Sequence, residues 1–399
     1  MTTPVPLLVV GAGPAGLAAA LRAARAGIDV TVLEAGPQGR DRRGSRAIFV
    51  HRHTLDLLDL ARPGLGDTIA ADGLLWPVNR TTWAGRTVFE RHYPPRPPRE
   101  APFTSLPQPL IERHLLDACT QAGVTLRWDC QVASAESTQD TVTVHTANGQ
   151  SLTAGHLIAA DGASSTLRRA FGIGLDQARS ERAFVIADVC DNPDHPLPPA
   201  RTFHYRHPGA GGRNLLLVPF SGGWRVDLQC APGDDPEELT LRAPNWVRAA
   251  LGPSYGDRVT WVSAYHFRQR VARTFHDPHR RVLLIGEAAH QFPPFGARGM
   301  NSGIADAHAA VEAVARSAAL PPGYHHVPVD VYTRDRRAAA LHNQRCAADA
   351  LAHLEAASAG LRTRQRLAAL LAPRWSRPAR WLDTAPYGPR LKSSPTGSY

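Results

Sequence analysis

Two stretches of this 399-residue chain hold residues at spacings that a packed core does not require. GAGPAG sets Gly11, Gly13 and Gly16 in a G-x-G-x-x-G run around Ala15, and an acid, Glu34, lies eighteen residues beyond Gly16. IGEAAHQFPPFGARGMNSG, residues 285–303, offers Glu287, His290, Pro293, Pro294 and bare glycine backbone, with little that could fill a core. In the first run Gly11 allows a tight turn, Gly13 lets an anion approach the backbone, and Gly16 lets a helix lie close on a strand. Unbonded N–H groups and the helix dipole then favour a pyrophosphate. An acid ending the next strand accepts from a ribose hydroxyl. Together they specify a dinucleotide site.

That chemistry needs a strand–turn–helix–strand unit, and PLLVVGAGPAGLAAALRAARAGIDVTVLEAG predicts one. The first strand ends at Val10, alanine and leucine recur at helical spacing to Ala26, Gly27 stops the helix, and DVTVLE ends at Glu34. The apolar run Val282–Ile285 drives into the second stretch and an alanine-rich helix leaves it. Between the two, the pattern predicts a helix over 48–60, a tryptophan-bearing strand pair over 74–89 and a proline-rich loop. A helix over 109–122 and a small antiparallel meander (126–128, 141–145, 152–159) lead into LIAADGASSTLRRAFGI. Residues 176–279 are strand-like, with one helix near 239–251, and the chain is helical from Val329.

Bulk composition narrows the class. The chain is 43% hydrophobic and 20% charged, as a globular protein is, and its net charge of +10 comes from scattered arginines, with Lys392 the one lysine. No basic block interleaves with aromatics, so nucleic acid is not an expected partner. Five widely spaced cysteines without a CxxC suggest neither a disulfide framework nor zinc, and no metal is expected. Residues 6–21 lack the basic lead of a signal peptide, and no run of about twenty apolar residues exists. The expectation is a cytoplasmic protein without membrane contact, a monomer or homodimer.

GAGPAG with Glu34, the Asp161–Gly162 turn and GEAAHQFPPFGARGMNSG together resemble the FAD-dependent aromatic hydroxylases of the para-hydroxybenzoate hydroxylase fold. The nearer likeness is to 3-(3-hydroxyphenyl)propionate hydroxylases. The resemblance runs from about residue 5 to 345. It implies an α/β fold: a Rossmann-like FAD-binding domain (1–73, 107–175, 280–328), an inserted antiparallel-sheet substrate domain (74–106, 176–279) and C-terminal helices (329–399). It places Gly11, Gly13, Ala15 and Gly16 on the FAD pyrophosphate and Glu34 on the ribose. Arg46, Gln108 and Arg113 match residues beside the cofactor, and Asp161 the aspartate between FAD and the nicotinamide donor. Glu287 stands where the family has an aspartate on the ribityl chain, either still accepting from it or turned to Arg298. Pro294 belongs to the flavin wall, and Gly299, Met300 and Asn301 offer N–H groups at a helix start to the flavin. Departures are Gly296-Ala297-Arg298 for the usual Gly-Gly-Gln and AHAAVEAV for the usual Asn-Leu-x-Trp-Lys run.

The activity this resemblance implies is hydroxylation of a phenolic or other electron-rich ring through a flavin C4a-hydroperoxide, with NADH or NADPH as transient reductant. The inserted sheet should supply the substrate pocket, with Trp76, His204, Trp224, His266 and Pro293 as candidate liners. Arg225 and Asp227 alternate with Trp224 and Val226, so one pair must face away from the pocket. Two other readings stand beside this one: a same-fold oxidoreductase or epoxidase acting on a non-aromatic compound, and a flavin-binding sensor or scaffold without turnover.

Overall fold

The computed structural model describes residues 7–39, 47–178, 183–266, 268–321 and 323–388. β1 (Leu7–Val10) is buried at every residue, as a strand covered on both faces must be. Helix α1 (Pro14–Arg25) starts on a proline, where no N–H is needed, and stops before Gly27 at φ +73. β2 (Val30–Leu33) then runs to Glu34.

The segment expected as one helix over 48–60 begins as a strand, β3 (Phe49–His51), followed by α2 (Arg52–Ala61) and α3 (Leu65–Asp72). Pairing across the chain overrides helical periodicity there, because Phe49–His51 lies antiparallel to β6 (Phe103–Ser105). Before β6 come the hairpin strands β4 (Val78–Trp83) and β5 (Arg86–His92), and after it α4 (Gln108–Gln121).

The expected meander divides between two sheets. β7 (Thr125–Arg127) pairs in parallel with β2, while β8 (Val132–Ser137), β9 (Val142–Thr146) and β10 (Ser151–Ala154) form an antiparallel sheet. Gly155 breaks the 152–159 run, and β11 (His156–Ala159), buried throughout, joins β1 in parallel. Helix α5 (Thr166–Ala170), capped by Ser165, leads to β12 (Leu175–Ala178).

The strand-rich half holds β13 (Ala183–Cys190), β14 (Ala200–His207), β15 (Arg213–Phe220) and β16 (Gly223–Gln229). The helix expected near 239–251 is two, α6 (Pro236–Leu241) and α7 (Ala243–Leu251), with Pro244 in the first turn of α7. β17 (Val259–His266) completes the half, and β18 (Gln269–Ala272) leads back to β19 (Val282–Leu284). β20 (His290–Gln291), α8 (Arg298–Ala319), α9 (Val327–Leu354), α10 (Ala359–Leu371) and α11 (Ser376–Thr384) follow.

Five parallel strands form one sheet in the order β19-β11-β1-β2-β7. A second sheet runs β17-β13-β16-β15-β14-β4-β5 and is antiparallel except for β14 beside β4. Its two faces differ. Trp224, Val226, Leu215, Leu217 and Val185 pack with Trp246 and Val247 of α7. On the other face Phe184, Phe203 and Tyr205 pack with Phe295 and with Leu351, Ala368 and Leu382 of the C-terminal helices. No helix among the described residues is long and apolar enough to cross a membrane.

Three histidines are kept neutral by burial. His156 opens β11, His204 lies in β14, and His353 of α9 bonds the Tyr205 hydroxyl at 2.8 Å; burial lowers each to about 4. In the unfolded chain such groups protonate near pH 6.5, so the unfolded state binds more protons between pH 6.5 and 4. The contribution of these three histidines to stability is therefore full above pH 6.5 and declines toward pH 4. Melting temperatures measured at pH 7.5 and pH 5.0 should show the lower value at pH 5.0.

Candidate active site

Parallel pairing sets the carboxyl ends of β1, β2, β11 and β19 on one edge, the edge where open α/β sheets bind ligands. Gly11, Glu34, Asp161 and Glu287 follow those strands within a few residues. The turn after β1 is tight because two residues lack side chains. A Cβ on Gly11, at φ +105, would meet the Ala160 carbonyl oxygen at 2.4 Å, and one on Gly16 would meet the Gly11 carbonyl oxygen at 1.9 Å. Gly13 caps α1 with no side-chain hydrogen bond, and Ala15 and Gly16 lie in its first turn, where N–H groups have no intrahelical acceptor.

Glu34 is 4% exposed, and its carboxylate works inside the chain too. The Ala12 N–H donates to its Oε2 at 2.7 Å and the Gly36 N–H to its Oε1 at 3.0 Å. The acid thereby fixes the loop beside the helix start. Asp161 accepts from the Leu167 N–H at 3.0 Å through Oδ2, while its Oδ1 is buried without a partner. Gly162, at φ +78, has open space where a side chain would stand. Arg168, which the sequence reading passed over, ties this turn to the next one by donating to the Ala288 carbonyl at 3.0 Å.

The turn Gly286–Ala288 meets α1 and α8 through small residues. A Cβ on Gly303 would stand 3.2 Å from the Gly286 Cα and 3.3 Å from the Ala15 Cβ. Its clamp is Asp306, fully buried in α8. The Asp306 carboxylate accepts from the Gly286 N–H at 3.2 Å and from Arg336 Nε at 2.7 Å, and meets His290 Nε2 at 2.6 Å. Burial alone would raise this carboxyl, but His290 and Arg336 beside it hold it below the usual range. His290 is thus a structural partner. Sequence inspection missed Asp306, whose only signal was a charged residue at an inward helical position, and gave no structural role to Arg336 of the 335–338 run.

Glu287 is exposed and makes no hydrogen bond among the described residues. Arg298 does not hold it: that guanidinium donates to Asn343 Oδ1 at 2.7 Å and to the Tyr387 carbonyl at 3.0 Å. Arg298, Gly299 and Met300 form the first turn of α8. The Asn301 side chain belongs to the framework. Its side chain accepts from the His51 N–H at 3.1 Å and Thr54 Oγ1 at 2.6 Å and donates to the Phe49 carbonyl at 2.9 Å, bolting α8 to β3 and α2. Pro293 is buried and Pro294 half-buried ahead of the Phe295–Ala297 turn. Gln108 opens α4 with its N–H on the Ala47 carbonyl at 3.1 Å and its amide on Glu112 at 2.8 Å. Arg113 is exposed on α4, and Arg46 lies outside the described residues.

The structure does not bring the expected substrate liners together. Trp224 belongs to the core against α7, on the face turned from the Phe295 loop. His204 shares that outer face, with Nδ1 2.7 Å from Thr82 Oγ1, and His266 is exposed on the edge strand β17. Strand alternation decides all three. Trp76 is buried among Phe49, Tyr93 and Phe103, its indole N–H committed to Ser105 at 3.1 Å. The alternation left open in WRVDLQ is settled: Arg225 and Asp227 face the Phe295 side.

An FAD fits these residues. The edge offers an acid at the ribose position, two helix starts, a buried unpartnered Asp161 oxygen and an exposed, unpartnered Glu287. Glu34→Ala should loosen FAD by about 1.5–3 kcal/mol, the range for hydrogen bonds to a charged group. Glu287→Ala should weaken retention clearly and Glu287→Asp little, as read from fluorescence of released flavin. Asp306→Ala leaves His290 and Arg336 without their anion and should cost about 3–5 kcal/mol in a denaturant titration.

Comparison with known proteins agrees with this geometry. The family model described as "FAD binding domain" matches residues 4–343. A 6-methylpretetramide 4-monooxygenase of Streptomyces rimosus is 32% identical over 317 residues, covering 76% of this chain and 54% of the relative. A para-nitrophenol 4-monooxygenase of Pseudomonas sp. strain WBC-3 is 29% identical over 353 residues, covering 83% of this chain and 82% of the relative. The chain spans about half to three-fifths of the length of several such relatives. The crystal structure of a p-nitrophenol 4-monooxygenase from Pseudomonas putida DLL-E4 superimposes with a TM-score of 0.77 at 25% identity, covering 98% of this chain and all of that one. With the strand order, the glycine turn and the edge acids already in place, the chain belongs to the FAD binding domain family.

Proposed function

We propose that this protein is an FAD-dependent monooxygenase that hydroxylates a phenolic or other electron-rich aromatic small molecule, with NADH or NADPH and O₂ as co-substrates. The observation that carries the reading is a buried sheet face, aromatic with two charged residues on it, packed against the Phe295 loop that follows β19 and β20. Phe184 of β13 meets Phe295 edge-on at 5.5 Å, and Arg225 and Asp227 lie on the same face. The relatives' names, hydroxylases of phenolic rings among them, support it.

Bound FAD supplies the chemistry of taking reducing equivalents from a nicotinamide and activating oxygen. The chain's own residues do the rest. Glu34 and the start of α1 hold the adenosine end, and Glu287 and the start of α8 hold the ribityl and ring end. Asp161 faces the approach of the nicotinamide donor. The second sheet and the C-terminal helices exclude water from the ring to be hydroxylated. No second glycine-rich nucleotide fold is present among the described residues, so the donor binds transiently and its access is gated.

Purified protein should carry yellow, non-covalent FAD and oxidise NADH or NADPH slowly alone, faster with the right phenol, giving a product heavier by one oxygen atom in mass spectrometry. A panel of phenols and non-aromatic olefins decides between readings. Stimulation by olefins alone, or by nothing, sinks the aromatic hydroxylase.

A further inference from the structure

β16 carries two charged residues toward the Phe295 loop, and only one of them is matched. Arg225 grips Asp188 of β13 with two hydrogen bonds, 2.8 Å from Nε and 2.7 Å from Nη2. Asp227, two residues on, is 8% exposed and accepts no hydrogen bond from any described residue; its Oδ1 is wholly buried. Its strand neighbours in register are Ile186 and Leu216, which offer no donor side chain. A buried carboxylate without a donor costs stability, and a ligand O–H on this face would supply the missing donor.

The surroundings define that ligand. Aromatic groups wall the same side: Phe295 against Phe184, and Tyr387 over the Arg201 guanidinium at 4.3 Å. The Tyr387 hydroxyl is also buried without a partner. The charged groups that act on Asp227 are Arg225 on its own strand, Asp188 on β13 and Arg201 on β14. Burial pushes its carboxyl up to about 7, with Arg225 opposing. At neutral pH the group can therefore both accept and return a proton.

We propose that the Asp227 carboxylate receives the ring hydroxyl of the aromatic substrate, accepting first its hydrogen bond and then its proton. This rests on the aromatic hydroxylase reading above. In the step the hydroxyl O–H bond breaks, a new O–H bond forms on Asp227, and the electron pair stays on the ring oxygen. No oxidant takes part. The phenolate so formed is the more electron-rich ring, and Arg225 and Arg201 offset its charge.

The test uses holoenzyme with oxidised FAD and no nicotinamide. The phenol that most stimulates NAD(P)H consumption and its O-methyl ether are titrated into wild type, Asp227→Asn and Asp227→Leu. Dissociation constants come from flavin absorbance and ionisation from the phenolate band. Wild type should bind the phenol at least tenfold more tightly than the ether and show the phenolate band. Both variants should lose that preference and that band, keep FAD, and melt no lower than wild type, because the unmatched carboxylate is gone. Equal phenol binding and an equal phenolate band in the variants overturn the assignment. So does loss of FAD or a melting point several degrees lower, which makes Asp227 a framework residue. If no phenol stimulates wild type, the hydroxylase reading itself fails and takes this one with it.

Discussion

The site depends on how closely bare backbone can pack at the carboxyl edge of the parallel sheet. The Gly11 and Gly16 positions leave no room for a methyl group against Ala160 and the Gly11 carbonyl, and Gly303 leaves little against Gly286 and Ala15. Those approaches draw the starts of α1 and α8 and the turn after β19 onto one line. Any side chain there would push a helix off its strand and turn its free N–H groups away from the ligand. The acids Glu34, Asp161 and Glu287 then sit along the line simply because their strands run parallel.

Backbone that bare cannot hold itself in place, and buried charge supplies the stiffness. Asp306 binds a turn N–H and a histidine from the 286–290 stretch and an arginine from α9. Such a cluster adds little net stability over an apolar core, since desolvation offsets much of the attraction. Its value is geometric: one carboxylate holds the Gly286 turn, β20 and α9 against α8. Asn301 does the same work between α8 and β3 with uncharged hydrogen bonds.

Much of this was legible in the sequence, and the misses have physical causes. The G-x-G-x-x-G run and the acid ending β2 are local signals, so the nucleotide edge could be read from spacing. The strand alternation in WRVDLQ was visible, but which face met the flavin loop depends on packing against α7, a contact between distant segments. For the same reason chemical type alone does not tell that Trp224 and His204 lie on the α7 face and His266 on the exposed edge. Gly155 split a run that alternation alone read as one strand, and Phe49–His51 became a strand only because β6 was there to pair with it. Asp306 and Arg336 looked like ordinary helix charges, since nothing local announces a buried ion cluster.

The second sheet solves two problems with one alternation. On its outer face Trp224, Val226 and Leu228 bury against α7 and anchor the strands. On its inner face the same strands place Arg225 and Asp227 beside Ile186 and Leu216. That inner face would be open at β14, β4 and β5 without the C-terminal helices, whose Leu351, Ala368 and Leu382 cover it. Asp383 then ties the cover to the sheet through Asn79 at 2.8 Å and Thr81 at 3.0 Å. Because Arg298 at the start of α8 also bonds the Tyr387 carbonyl, the cover is joined to the flavin loop as well as to the sheet. The C-terminal segment therefore bonds both the start of α8 and the second sheet, and a shift of that segment would strain both contacts at once.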